Sequence, residues 1–440
     1  MKPTTGMKRD TLLYLMIITL LSITSPPASA QEQGTKQSGP PVRYTLTDLG
    51  TLGGTFSQAF GVNDKGWVVG FATTEGDISL HAFLWRRGVM TDLGTLGGSD
   101  PRPYSVAGAV NNRGEIAGFS ETSTADPLGE DFCGDFFFHL VCLPVVWKSG
   151  TMTPLPTLGG NNGVANGINN RGQVIGHTET ARPDPTCDPP QVLNYQPVIW
   201  EKDVHKLPTI SGDPDGWVNT INEKGQAAGV TSTCNLSSGH PVLWQNGKAI
   251  DITIADLGFE LADINNRGEG TGTAEDANGI HAFLWKSGVA TILEPLPDFA
   301  AESHGNSIND KGQVTGQSCS ANGWPDCTVF VWRNGIVRDL NALATPGSSL
   351  FALDPSKMNA RGQIVGIAVT DGGEGHAFLA TPCDQENEED EGCRTQEQSL
   401  TRLAVRPRTT IAVPERIQRI LQMGQAHRHP MSSRGNRLTK

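Results

Sequence analysis

One five-residue pattern recurs seven times along the chain: an apolar residue, Asn, any residue, Lys or Arg, then Gly. The copies are VNDKG (62–66), VNNRG (110–114), INNRG (168–172), INEKG (221–225), INNRG (264–268), INDKG (308–312) and MNARG (358–362). Their Asn residues, at 63, 111, 169, 222, 265, 309 and 359, lie 43 to 58 residues apart. A repeat of this length is one supersecondary unit. It cannot bury its own apolar surface and must stack on its neighbours.

The flanks of the pattern say what the unit is. After each copy comes a short alternating run that ends in Gly, as in WVVG (67–70), EIAG (115–118), QVIG (173–176) and QIVG (363–366). A segment of variable length follows, and then an apolar–aromatic run. These runs are HAFLW (81–85), PVVW (144–147), PVIW (197–200), HPVLW (240–244), HAFLW (281–285), VFVW (329–332) and HAFLA (376–380). A polar turn such as RRG (86–88) or KSG (148–150) leads into a fourth run. Asn bonds the backbone at the start of a tight turn, and Gly accepts positive φ at its end. Between alternating runs, such a turn makes a β-hairpin. Each repeat therefore predicts a four-stranded antiparallel meander. Seven of them predict an all-β fold, a seven-bladed β-propeller. The segment YTLTDLGTLGG (44–54) copies the fourth run, which the seventh repeat lacks. The N-terminal strand is thus expected to close the ring and remove open edges. A parallel β-solenoid is the rival, but its coils are usually much shorter than these repeats.

Together, the HAFLW runs, the DLGTLGG runs and the I-N-x-[KR]-G-x-V-x-G motif resemble bacterial extracellular HAF-repeat proteins over about residues 44–382. A looser likeness to kelch propellers rests on glycine pairs and a strand Trp. His-Ala-Phe is intact only at 81–83, 281–283 and 376–378. The resemblance implies an extracellular repeat protein and supplies no catalytic residues.

Composition agrees with many short strands. The chain has 52 Gly in 440 residues with no three-residue period, which excludes collagen and argues against a helical bundle. Residues 1–30 read as a signal peptide: Lys8 and Arg9, an apolar stretch Thr11–Thr24, then Ala28-Ser29-Ala30. Residues 31–43 read as a flexible linker. The tail, 383–440, is acidic over 384–391 and then basic. It is expected to be mostly disordered, with a short helix over 414–426. No segment after the signal is expected to span a membrane, and the expected location is secreted or periplasmic. The formal net charge of −12 argues against a nucleic-acid partner.

Eight cysteines behind a signal peptide point to disulfides. Cys133, Cys142, Cys187, Cys234, Cys319 and Cys327 fall in connections between the second and third runs, and Cys383 and Cys393 bracket the acidic segment. Proximity suggests 133–142, 319–327 and 383–393, leaving 187–234.

The variable insertions all fall between runs two and three, so function is expected on the face that carries them. The longest is Phe119–Leu143, and its stretch GEDFCGDFFFHL (129–140) supplies Asp131, Phe132, Asp135, Phe136, Phe137 and His139 as candidate binding residues. The recurring Trp is expected to pack between blades. His81, His240, His281 and His376 belong to different blades and are not expected to share a metal. G-x-S-x-G, H-E-x-x-H and P-loop patterns do not occur, and neither cofactor nor metal is expected. The reading is a monomeric, non-enzymatic module that binds a protein or glycan through its variable loops. One alternative is a cell-surface structural repeat tethered by the basic tail. Another is a propeller hydrolase, with Asp131, Asp135, Asp276 or Asp298 as carboxylates.

Overall fold

A computed structural model describes residues 41–133, 138–254, 258–323 and 326–383. The signal peptide, most of the linker, the tail after Cys383 with its expected helix, and Asp135, Phe136, Phe137 and Cys393 lie outside the described residues.

The fold is all-β and is built from four-stranded antiparallel sheets. Unit 1 shows the plan: strands Gly53–Val62, Val68–Thr74, Leu80–Arg86 and Val89–Asp92, each paired with the next. The same order repeats in units 2 (105–154), 3 (159–206), 4 (215–251), 5 (258–292) and 6 (302–339). Unit 7 has three strands of its own, Leu350–Met358, Ile364–Thr370 and Gly375–Pro382. Its fourth is Tyr44–Asp48, antiparallel to Gly375–Pro382 from Tyr44↔Pro382 to Asp48↔Phe378.

The Asn motif makes the turn between strands one and two of each unit. In unit 1, Asn63 Oδ1 accepts from the backbone N–H of Lys65 and of Trp67, both at 3.0 Å. Gly66 sits at φ +73°, where a side chain would be strained. The Asn side chain also reaches out of its own unit. Asn63 Nδ2 donates to the carbonyl of Asn111, and the same bond links 111 to 169, 169 to 222, 222 to 265, 265 to 309 and 309 to 359. Asn359 then donates to Asn63 at 2.8 Å, so the run of bonds returns to its start.

The other repeated residues pack units on one another. Trp147, Trp200 and Trp244 are buried, and their indole N–H groups bond Leu93, Pro156 and Pro208, carbonyls of the connection arriving from the preceding unit. The His of HAF meets the Asp of DLG: His81 lies 2.8 Å from Asp92, and His376 lies 2.9 Å from Asp48. At these two places the motifs meet across strands three and four, whereas His281, with no DLG after it, lies 3.4 Å from Asp276 instead.

Three disulfides are present, Cys133–Cys142, Cys187–Cys234 and Cys319–Cys327. The second ties unit 3 to unit 4. Cys383 is also disulfide-bonded. Among the described residues, no helix is long and apolar enough to cross a membrane.

Candidate functional site

The sequence reading places function on the variable loops. There, the described part of the 129–140 stretch is mostly folded inward. Phe132 packs against His177 and Tyr195, with ring centroids 5.3 and 5.9 Å away. Tyr104 donates its hydroxyl hydrogen to the Cys133 carbonyl, which holds the stapled loop to its own unit. Asp131 lies close enough to Glu121 and Tyr104 to act on both electrostatically. His139 is exposed at φ +45°. Among the described residues of the stretch, Phe132 and Cys133 pack on the sheet, while Phe138 and His139 are exposed.

Beneath these loops lies a buried set of carboxyls that sequence reasoning did not single out. Glu130 Oε1 accepts from the N–H groups of Val192 and Leu193, both at 2.7 Å, so unit 2 is stitched to unit 3. Asn162 donates to Asp126 Oδ2 and Glu179 Oε2 at 3.0 and 3.1 Å. Asp215 Oδ1 accepts from Tyr195 N–H at 2.8 Å, which stitches unit 3 to unit 4. Burial pushes Glu121 up to about 8, with the charge of Asp131 adding to it. Burial likewise raises Glu179 to about 7 and Asp215 to about 8, and the neighbouring carboxylates Glu130 and Asp184 add to these shifts.

These shifts make stability depend on pH in a definite direction. An acid with a raised folded pKa stays protonated in the folded chain while the unfolded chain ionises. Stability therefore falls from about pH 4 to about pH 8. His376 acts in the same sense. Burial disfavours its charged form, but Asp48 and Glu374 outweigh that and raise it, so its contribution is lost as pH climbs past the folded value. The thermal midpoint should be several degrees higher at pH 5 than at pH 8. Glu121→Gln should raise the midpoint at pH 8 and leave it nearly unchanged at pH 4. Thermal melts read by circular dichroism across this range check it, and a midpoint that climbs toward pH 8 would refute it.

A polar opening of about 330 Å³ lies elsewhere, lined by first-strand residues of all seven units. Each first strand carries a bulge, a register shift between Ala59 and Gly61, Ala107 and Ala109, Ala165 and Gly167, Val218 and Thr220, Leu261 and Asp263, Gly305 and Ser307, and Pro355 and Lys357. The residue left over at each bulge is re-aimed. These residues are Phe60, Gly108, Asn166, Asn219, Ala262, Asn306 and Ser356, and every one lines the opening. Each stands three positions before a motif Asn. That offset was the available signal, and the sequence reading treated the motif as turn chemistry alone.

The ring of bulge residues is uneven. Asn166 and Asn306 donate across to the Val218 and Pro355 carbonyls at 2.8 Å. Asn219 donates to Glu260 Oε1 at 2.7 Å, and burial raises that carboxyl to about 7. Asn306 Oδ1 and Ser356 Oγ are buried without a partner. Next to Ser356 in the same strand is Lys357, whose Nζ stands 2.6 Å from Asp263 Oδ1. Asp263 is itself buried and accepts from Thr220 Oγ1 at 2.8 Å and Ser307 Oγ at 2.6 Å. The ammonium is thereby fixed at the wall of the opening by a carboxylate from two units away. The third motif residue also links neighbouring units, as Asn112 does with Asn170 and Asn266 with Asp310. Ala360 offers no side-chain acceptor, and the pattern lapses next to Lys357. Among the described residues, no group of three or more His, Cys, Asp or Glu is placed to hold a metal ion.

No family model and no curated protein matches the chain. Among solved structures, it is similar to a puromycin hydrolase (14% identity, TM-score 0.44, covering 76% of this chain and 52% of that one). It is also similar to the β-propeller domain of the Trilobed protease from Pyrococcus furiosus (10%, 0.38, 64% and 81%). A third is Porphyromonas gingivalis dipeptidyl peptidase 4 (10%, 0.38, 69% and 50%). The chain spans about half the length of the first and third. Their names include a hydrolase, a protease and a peptidase. The expectation of a non-enzymatic module, drawn from a regular repeat without a catalytic motif, is corrected on that ground.

Proposed function

We propose that the protein is an extracytoplasmic, closed seven-bladed β-propeller of the HAF-repeat type, and that it hydrolyses a polar substrate bound in its central opening. The observation that carries the reading is the Lys357–Asp263 pair at the wall of an opening also lined by Asn306 and Ser356, whose buried Oδ1 and Oγ have no partner among the described residues. Unpartnered buried polar atoms cost free energy unless something occupies them. The returning run of Asn bonds and the N-terminal strand in unit 7 support the closed ring, and the disulfides support an oxidising compartment.

In this mechanism Lys357 polarises the oxygen of the scissile group, a fixed charge aimed where negative charge develops. Asn306 and Ser356 orient the attacking water, whose oxygen bonds to the scissile centre as the bond to the leaving group breaks, and the water's proton reaches the leaving group through solvent in the opening. Asp263 is a positioning residue, since Lys357 and Ser307 already occupy its oxygens. The full chain should turn over at least one member of a chromogenic panel of esters, amides, glycosides and phosphoesters. Lys357→Met should lower that turnover about a hundredfold. The double variant Asp263→Asn/Lys357→Met leaves no buried unpaired charge and controls for misfolding. No turnover of any panel member, or undiminished turnover in a folded double variant, overturns the reading.

A further inference from the structure

The overall negative charge conceals a division by face. The tight turns, between strands one and two and between strands three and four, all lie at the end of the units where the opening has its motif-lined mouth. These turns hold fourteen Lys and Arg against seven Asp and Glu, whereas the rest of residues 44–382 holds five against twenty-nine. Every motif turn contributes one cation, and all but Arg361 are exposed. The outer turns add Arg87, Lys148, Lys202, Lys248, Lys286 and Arg333, all exposed. Some of this charge is spent locally. Arg113 and Lys148 share Glu115, and Arg267 and Lys286 share Glu269. Arg87, Lys248 and Arg333 make no ion pair among the described residues, and the tight-turn face keeps a net positive charge.

We infer that this face is a docking surface for an anionic polysaccharide. A carboxylated or sulfated chain matches a broad ring of exposed cations around a polar opening, because its charges are spread along its length. The surface lacks what a single-stranded nucleic acid would want. Trp67, the motif-flanking ring there, is already covered by Lys65 and Arg86, each 5.4 Å from its centroid, so it offers no free platform for base stacking. The strongly acidic remainder of the molecule repels the same ligand, so a polyanion meets the protein in one orientation. The inference concerns docking and does not require that the opening be catalytic.

The test is binding of the full chain to polygalacturonate at low ionic strength, with neutral dextran alongside. Two triple variants carry the same change in charge. Arg87→Gln/Lys248→Gln/Arg333→Gln neutralises the tight-turn face, and Arg102→Gln/Arg182→Gln/Lys206→Gln neutralises cations elsewhere. All six residues are surface positions, so both variants should fold. The expected result is salt-sensitive binding to polygalacturonate but not dextran. It should weaken about tenfold in the first variant and hardly at all in the second. Absence of binding by the wild-type chain, or equal loss in the two variants, overturns the inference. So does undiminished binding in the first variant, which would place the contact on the basic tail. Tighter binding to duplex DNA with the same sensitivity to the first variant also overturns it, since the surface would then be a nucleic-acid site.

Discussion

Gly176→Ala is expected to destabilise the protein by about 3 kcal/mol or more. A Cβ built on Gly176 would lie closer than 3.0 Å to the carbonyl oxygen of Val164, with the Ala165 backbone also in the way. Neither obstacle is a flexible side chain, so the two strands must part. The same holds in every unit. The Gly seven residues after each motif Asn, at 70, 118, 176, 229, 272, 316 and 366, faces the carbonyl of the residue two before the bulge. These glycines leave room for the bulged strand to press against its partner. The bulge in turn aims one residue per unit into the opening. Gly366→Ala should therefore do double damage, because it faces the strand that presents Ser356 and Lys357. Gly372→Ala is the control. A Cβ there meets only Thr370 Oγ1, at 3.5 Å, and should change stability by less than about 1 kcal/mol. Urea titration of the three variants decides the matter, and equal midpoints for Gly176→Ala and Gly372→Ala would sink the argument.

Asn222→Ala should cost about 4 kcal/mol. The side chain is buried and makes four hydrogen bonds. It accepts from the N–H groups of Lys224 and Gln226, both at 3.0 Å, and donates to Gln226 Oε1 at 2.8 Å and to the Asn265 carbonyl at 3.0 Å. Each bond contributes about 1 kcal/mol net, and the partners left behind are buried. Asn222→Asp separates the two roles. The carboxylate keeps the acceptor that shapes the turn but loses the donor that reaches the next unit, and it sets negative charge against the Asn265 carbonyl. It should be strongly destabilising at neutral pH and partly rescued in acid, where the carboxyl can donate again. If the aspartate variant matched wild type at pH 7, the links between units would contribute nothing measurable.

The repeat was legible because its chemistry is local. Asn63 bonds the N–H groups two and four residues on, and Gly66 needs positive φ, so both requirements are written inside five residues. The cysteines were legible for a similar reason. Six of them fell in corresponding connections, and the pairs expected from proximity at 133–142, 187–234 and 319–327 are the pairs formed. The Trp slot read correctly as packing between neighbours.

The site was not legible in the same way. Phe132 meets Tyr195 and His177 from another unit, and nothing in 129–140 announces them. Asp263 and Lys357 stand 94 residues apart and meet only because the first strands of units 5, 6 and 7 lie side by side. Net charge hides its distribution. The total of −12 averages a cationic tight-turn face with an acidic remainder, a division that a sum cannot show.

The amino-acid sequence by itself determined the unit: its four strands, its turns, its glycine at the close approach and its sevenfold recurrence. Each of these depends on bonds and steric contacts between residues near in the chain. Only the tertiary structure decided which bulge residues converge on the opening, which ammonium a distant carboxylate holds there, and which charges gather on one face. Those are properties of seven units packed side by side, and no single unit contains them.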